Sequence, residues 1–318
     1  MNKLRWGIMA VALVACAALF FGVISKKENF TGEDYMFDTR CTVTAYGENA
    51  QAAVEAALTR AREIHNITNV FSENSEVSEI NSAKVGERVK ISQDIAKILK
   101  TAKTVEEASN GAFDISIAPV VSLWDFGGEG RVPTEQEIAE ALELSGGEKI
   151  MVDFTDGMVV KTDSMARIDL GGVAKGYAAD EAVRVLKQYG VEGAIVDFGG
   201  NILCFGKNPN TDDGLWRVGV QKPFAPLGEI DEENIIESSE AAVVTSGTYQ
   251  RYFEKNGEKY HHIIDTATGY PANRDYSSVT VVAENGLLAD CLSTACFVLG
   301  EEKGTKLANE FGAEVFFR

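Results

Sequence analysis

Stretches of alternating polarity and stretches at helical spacing follow one another along this chain. "DTRCTVTAYG" (38–47) alternates and predicts a strand, and "NAQAAVEAALTRAREIHNITNVF" (49–71) carries its apolar residues at helical spacing. A polar loop is expected at "SENSEVSEINSA" (72–83), then a helix at "SQDIAKILKTAKTVEEASNG" (92–111) and an acidic helix near 134–144. "KIMVDFTDGMVV" (149–160) and "ARIDL" (166–170) read as strands, and "VAKGYAADEAVRVLKQYG" (173–190) reads as an amphipathic helix ending at Gly190. Beyond it, "GAIVDFGGNILCFG" (193–206) and "LWRVGVQKP" (215–223) predict strands, followed by a polar excursion at 225–237. "YSSVTVVAE" (276–284), a helix over 286–299 and the closing "AEVFFR" complete the pattern. Helices and strands are mixed rather than strictly alternating, which makes the fold class α+β.

The first 25 residues stand apart. "MNKLRW" is a short basic start, and "GIMAVALVACAALFFGVIS" continues for nineteen residues without a charge before Lys26 and Lys27, long enough to cross a bilayer. Two readings stay open: a retained signal anchor, favoured by that length, and a lipoprotein signal in which Leu13-Val14-Ala15 precede a lipidated Cys16. Either one puts the remainder on the extracytoplasmic face of a bacterial cell membrane. Residues 26–32 then form a tether, and 33–318, which no Pro/Gly/Ser linker divides, form one catalytic unit with room for two lobes.

Composition narrows the chemistry. With 318 residues and 45% hydrophobic content the chain can bury a large core. Its net charge of −18 argues against a nucleic-acid partner, and an anionic ligand would need a local remedy such as a divalent cation. Three histidines (His65, His261, His262) are too few for a His-rich transition-metal site. Cys291 and Cys296, five apart on a helix, point to different sides, so with Cys41 and Cys204 they read as core.

Two short stretches could bind an anion and its counter-ion. "ARIDLGGVAKGYAAD" fails the dinucleotide fingerprint because its glycines fall at 171, 172 and 176, and fails the phosphate-loop pattern because Tyr177 and Ala178 stand where Lys and Ser/Thr should. It still places glycines before a helix start, where N–H groups and the positive end of the dipole favour an anion. A tight turn with no ligand is the alternative. In "LLADCLSTA", Asp290 and Thr294 lie at i and i+4 with Ser293 beside them, so a carboxylate and hydroxyls share one helix face and suit a hard cation. An exposed acid and a back-bonded threonine would give the same spacing.

Six blocks in order, "GAFDISIAPVVSLWDFG", "IDLGGVAKGYAADEA", "VDFGGNILCFG", "VVTSGTYQRYF", "HHIIDTATGYP" and "SVTVVAENGLLADCLSTA", resemble the ApbE family, the FAD:protein FMN transferases, over about residues 35–300. The resemblance implies a Mg²⁺-dependent enzyme that cleaves FAD at its pyrophosphate and transfers FMN to a Thr or Ser hydroxyl of a target flavoprotein, such as a membrane redox-complex subunit, releasing AMP. It implies metal ligation by Asp290, Thr294 and the Gly172 carbonyl, with Ser293 as a further candidate. Asp169 and Lys175 would line the FAD, Ala112, Phe113 and Asp114 would cradle it, and Met36, Phe71 and Ile264 would add contacts, ordinary core packing being the alternative for these three. Phe71 stands where some members carry tyrosine. His262 would take the hydroxyl proton, with Asp265 orienting it or holding its loop and His261 a neighbour without a catalytic role. Thr248, Gln250 and Thr266 depart from the family's usual residues and put local loop detail in question. Two other activities remain open: FAD hydrolysis to FMN and AMP, and flavin binding by an anchored lipoprotein without catalysis.

Overall fold

A computed structural model describes residues 29–226 and 229–318. It opens on a hairpin, β1 (Asn29–Met36) and β2 (Thr39–Tyr46), whose turn residues Phe37 and Asp38 have φ of 54° and 57°. Positive φ at both central residues lets the turn twist match the twist of its strands. Next come α1 (Ala50–Thr68), α2 (Glu76–Ser82), β3 (Arg88–Lys90), α3 (Gln93–Ala108), α4 (Ala118–Trp124) and α5 (Glu135–Leu144). The hairpin β4 (Ile150–Asp153) and β5 (Met158–Lys161) precedes α6 (Ala174–Gln188). Then follow β6 (Gly193–Phe198), β7 (Asn201–Gly206), β8 (Trp216–Gln221), β9 (Ile230–Ser238), β10 (Ala241–Gly247), β11 (Tyr252–Lys255), β12 (Glu258–His261) and β13 (Ser278–Ala283). The chain closes with α7 (Gly286–Leu299), α8 (Glu301–Glu310) and β14 (Glu314–Phe317).

Seven strands make one antiparallel sheet in the order β1-β2-β6-β7-β10-β13-β14. The register lines up Val43, Val196, Leu203, Ala242 and Ala283 across five strands, and all five are buried. That apolar stripe explains why α1, α6 and α7 lie side by side on this face, each turning its own apolar stripe inward. On the opposite face Trp216 of β8 covers Ile195, Cys204 and Tyr46. A second, smaller cluster gathers Val120, Trp124, Ile138, Ala141 and Ile264 beneath the β11–β12 hairpin, where Phe253 stacks on Tyr260. The arrangement is the expected α+β fold. All four cysteines among the described residues are free and buried, as expected of core positions.

Four expectations need correction. Residues 76–82 of the supposed polar loop form α2, because Ser75 accepts the Ser78 N–H as a cap and Val77 and Ile80 find burial three apart. "ARIDL" joins no ladder: the Asn81 side chain bonds both the N–H and the C=O of Ile168, at 2.8 and 2.9 Å, and the Asp169 N–H goes to the Ile115 carbonyl at 2.8 Å. Much of the polar excursion is β9, paired with β8 in a two-stranded ribbon. Asn29–Gly32, assigned to the tether, already belong to β1 and pair with β2. The anchor and lipidation readings at residues 1–25 lie outside the described residues, among which no helix is long and apolar enough to cross a membrane.

Candidate active site

The site is organised by the crossing of α6 and α7. A Cβ on Gly176 would fall 2.1 Å from the Gly286 carbonyl oxygen, and one on Gly286 would fall 2.6 Å from the Gly176 carbonyl oxygen, so only glycines allow this approach. Asp180, one turn beyond Gly176, accepts the N–H groups of Gly286 and Leu287 at 2.6 and 2.9 Å and so caps α7. Burial pushes its carboxyl up to about 6 despite those bonds. Four residues into α7, Asp290 is 3% exposed and accepts the Gly176 N–H at 2.9 Å through Oδ2. The exposed-acid alternative for Asp290 is thereby excluded.

Thr294 lies one turn further along α7, and the glycine turn comes to meet it. The Asp169 carboxylate accepts the Gly171 N–H at 2.8 Å, shaping that turn. A Cβ placed on Gly172 would lie 3.7 Å from Thr294 Oγ1 and 3.5 Å from the Phe113 ring. Gly172, Thr294 and Phe113 are therefore brought together from three separate blocks, with Asp290 one turn back along α7 against Gly176. The Ser293 hydroxyl is fully buried: it bonds the Asp290 carbonyl at 3.0 Å and the Ser246 hydroxyl at 2.8 Å, and the same Ser246 hydroxyl lies 3.4 Å from Thr294 Oγ1. Ser246 thus ties both hydroxyls of α7 to β10, and of the two it is Thr294 that also meets the glycine turn.

The cradle segment is equally tied down. Ala112 and Phe113 are buried, and Asp114 accepts both the N–H and the hydroxyl of Ser116 at 2.7 and 2.8 Å. Burial holds the Asp114 carboxyl above its usual range. Thr266 donates to the Gly111 carbonyl at 2.6 Å, so the residue that replaces a frequent proline fastens the histidine loop to this segment. Thr248 and Gln250 find backbone acceptors at Ser277 and Thr245, so these departures are also absorbed locally.

His262 follows β12. Its Nδ1 sits 3.2 Å from the Arg251 carbonyl, which can only accept, so Nδ1 carries the proton and Nε2 keeps its lone pair. Atoms crowded around this half-buried ring, and after them the Arg251 and Lys175 charges, push the imidazole down to about 3. His261 is engaged differently: Nδ1 accepts the Ile263 N–H, Nε2 bonds the Ala272 carbonyl at 3.1 Å, and the ring meets Phe297 edge-on. Asp265 bonds the Ala267 N–H and its own loop backbone, so it holds the loop and makes no bond to His262. Lys175 reaches the Gly171 carbonyl at 3.4 Å. Met36 is buried within the larger core and Ile264 within the smaller one. Phe71 is 86% exposed and packs on neither core.

Three residues escaped the sequence reading: Asp180, Asn201 and Ser246. Asp180 and Gly176 lie at i and i+4 on the small-residue face of α6, a visible signal, whereas Asn201 and Ser246 become meaningful only once the sheet order is known. Among the described residues no three His, Cys, Asp or Glu side chains gather as a metal centre. The donors at the crossing are one buried carboxylate, the Thr294 hydroxyl and the glycine-turn backbone, an all-oxygen set that suits Mg²⁺ completed by water and phosphate oxygens.

The ApbE family model matches residues 37–317. The FAD:protein FMN transferase of Haemophilus influenzae is 32% identical over 327 residues, covering 99% of this chain and 93% of the relative, and that of Treponema pallidum is 30% identical, covering 98% and 90%. Among solved structures, the ApbE protein of Thermotoga maritima aligns with a TM-score of 0.82 at 33% identity over 91% of this chain and 94% of its own. The flavin transferase ApbE of Vibrio cholerae aligns at 0.81 and 28% identity over 92% and 93%. With the family match running from the first hairpin turn to the last strand, the chain belongs to the ApbE family.

Proposed function

We propose that this protein is a Mg²⁺-dependent FAD:protein FMN transferase, the activity named for its H. influenzae and T. pallidum relatives. The observation that carries the reading is the meeting of the Gly172 turn with the Asp290–Thr294 face of α7. A diphosphate lying along that turn faces the N-terminal end of α6 and the Lys175 ammonium. Asp290, Thr294 and the Gly172 carbonyl would hold Mg²⁺, which when bound neutralises charge on the diphosphate.

The acceptor's Thr or Ser oxygen bonds to the FMN phosphorus as the bond from that phosphorus to the AMP half breaks, and AMP leaves with the electron pair. The hydroxyl proton passes to Nε2 of His262. Burial and two nearby cations keep this imidazole neutral, and the phosphate charges of bound FAD raise its basicity toward what a general base needs. In this reading the N-terminal segment holds the enzyme at the extracytoplasmic face of the bacterial membrane, beside an acceptor flavoprotein such as a redox-complex subunit.

Incubating the purified full chain with FAD, Mg²⁺ and an acceptor flavoprotein should give a fluorescent acceptor band that survives a denaturing gel, with one AMP per flavin attached. AMP and free FMN appearing equally well without acceptor would make it a pyrophosphatase. Neither product would leave only a flavin-binding protein.

A further inference from the structure

The sheet face under α7 is apolar along most of its length and turns polar at one end. Inward positions of β7 run Phe205, Leu203, Asn201, and those of β10 run Ala242, Val244, Ser246, with Asn201 paired to Val244. Asn201 is 1% exposed. A buried amide with unpaired N–H groups costs about 1–3 kcal/mol, so this residue needs partners. Its partner is Asp290: in the orientation that satisfies both ends of the amide, Asn201 donates to Oδ2 and Oδ1 at 3.2 and 3.3 Å. The Gly176 N–H meets Oδ2 from the other side at 2.9 Å. Asn201 is itself fixed in register by the Gly199-Gly200 turn (φ 63° and 89°), where a Cβ on Gly199 would fall 2.4 Å from Thr39 Oγ1.

We infer that Asn201 is a positioning residue for the metal, clamping the Asp290 carboxylate from the sheet side so that its plane is set toward Thr294 and the glycine turn. The inference rests on the proposed role of Asp290 as a Mg²⁺ ligand. Donors behind a ligating carboxylate fix its orientation, and their loss typically weakens metal affinity about 10–100-fold.

The test is Mn²⁺ binding to the full chain with FAD present, followed by electron paramagnetic resonance, for the wild type, Asn201→Leu and Asn201→Ser. Leucine keeps the volume without a donor, and serine keeps one donor. Mn²⁺ affinity should fall about 10–100-fold in Asn201→Leu and by less in Asn201→Ser. The Mg²⁺ concentration for half-maximal flavin transfer should rise by the same factors, with the rate at saturating Mg²⁺ largely recovered and metal-free FAD binding unchanged. A lowered melting temperature with unchanged Mn²⁺ affinity would mean a packing role only and would overturn the inference. Should Asn201→Leu fail to fold, Asn201→Ser decides alone, a weaker Mn²⁺ complex supporting the inference and an equal one overturning it. A wild type that binds no Mn²⁺ overturns the metal reading as well, an outcome distinct from equal binding by all three chains.

Discussion

The two halves of the site are built to opposite specifications. At the α6–α7 crossing, Asp290, Ser293 and Asn201 are buried and each is hydrogen-bonded, and two glycines leave no room for a methyl group between the helices. On the His262 side, the histidine hangs from one backbone carbonyl at the base of a two-stranded hairpin. Arg251, which supplies that carbonyl, is held in turn by the exposed Phe37–Asp38 turn at 3.3 and 3.4 Å. Under the proposed function, the difference matches what each half would handle. Concentrated charge on a diphosphate is best met by donors and ligands that cannot reorganise, whereas an acceptor that is another protein's hydroxyl would have to arrive from solvent at an accessible rim.

The sharpest way to break the buried half is Gly176→Ala. The added methyl would stand 2.1 Å from a backbone oxygen and 2.8 Å from Asp290 Cβ, and no flexible side chain can yield to it. We expect a loss of about 3 kcal/mol in denaturant unfolding, at the upper end for overpacking, together with loss of transfer. Asp290→Asn is gentler on the fold, since its amide oxygen can still accept the Gly176 N–H. Transfer should drop on the order of 10³-fold with near-normal melting, and retention of Mg²⁺-dependent transfer would remove Asp290 from the metal site. In the other half, His262→Gln should lower the transfer rate about 10²–10³-fold while FAD affinity, measured by fluorescence quenching, stays the same.

Within the buried half itself, the sequence disclosed some residues and hid others. Asp290 and Thr294 were legible because a helix turns an i, i+4 spacing directly into a shared face, and the glycine turn because it abuts a helix start. Asn201 and Ser246 were not, since an inward polar residue on a strand means nothing until the neighbouring strand and the covering helix are known, and both come from distant sequence. Element errors have local causes. "ARIDL" alternates like a strand, but a side chain, Asn81, satisfies the backbone that a ladder would have paired. α2 is only seven residues long with two buried apolar positions, too few for a periodicity to show. β9 pairs only with β8, as the outer strand of a two-stranded ribbon whose partner holds the contact with the main sheet, and its acid-rich sequence carries no clear alternation.

A pH titration sharpens the contrast without touching chemistry. His262 is pushed down to about 3 in the folded chain, against 6.5 for the free side chain. Above 6.5 neither state is protonated, and its effect on stability is nil. As pH falls below 6.5 the unfolded chain takes up a proton that the folded one refuses, so stability declines down to about pH 3. Asp180, raised to about 6, acts in the opposite sense between 3.8 and 6, which is why wild type must be compared with His262→Gln rather than read alone. The advantage of the wild type over His262→Gln should shrink by at most about 1.4 kcal/mol per pH unit in that window. Parallel stability curves would mean that His262 is solvated and not held neutral.

The smallest effect belongs to the outermost residue. Phe71 is 86% exposed and its backbone is held by the Asn69 side chain at 2.9 Å, so the fold asks nothing of its ring. Phe71→Ala should leave unfolding within about 0.5 kcal/mol of the wild type. An aromatic stack is worth about 0.5–1.5 kcal/mol beyond the area it buries, so if the ring covers FAD, the KM for FAD should rise about 2–12-fold with kcat at saturating FAD unchanged. Phe71→Tyr should restore the lower KM, because stacking needs only the ring face. A KM unchanged in Phe71→Ala would confine FAD recognition to the buried half and leave the rim to the acceptor alone.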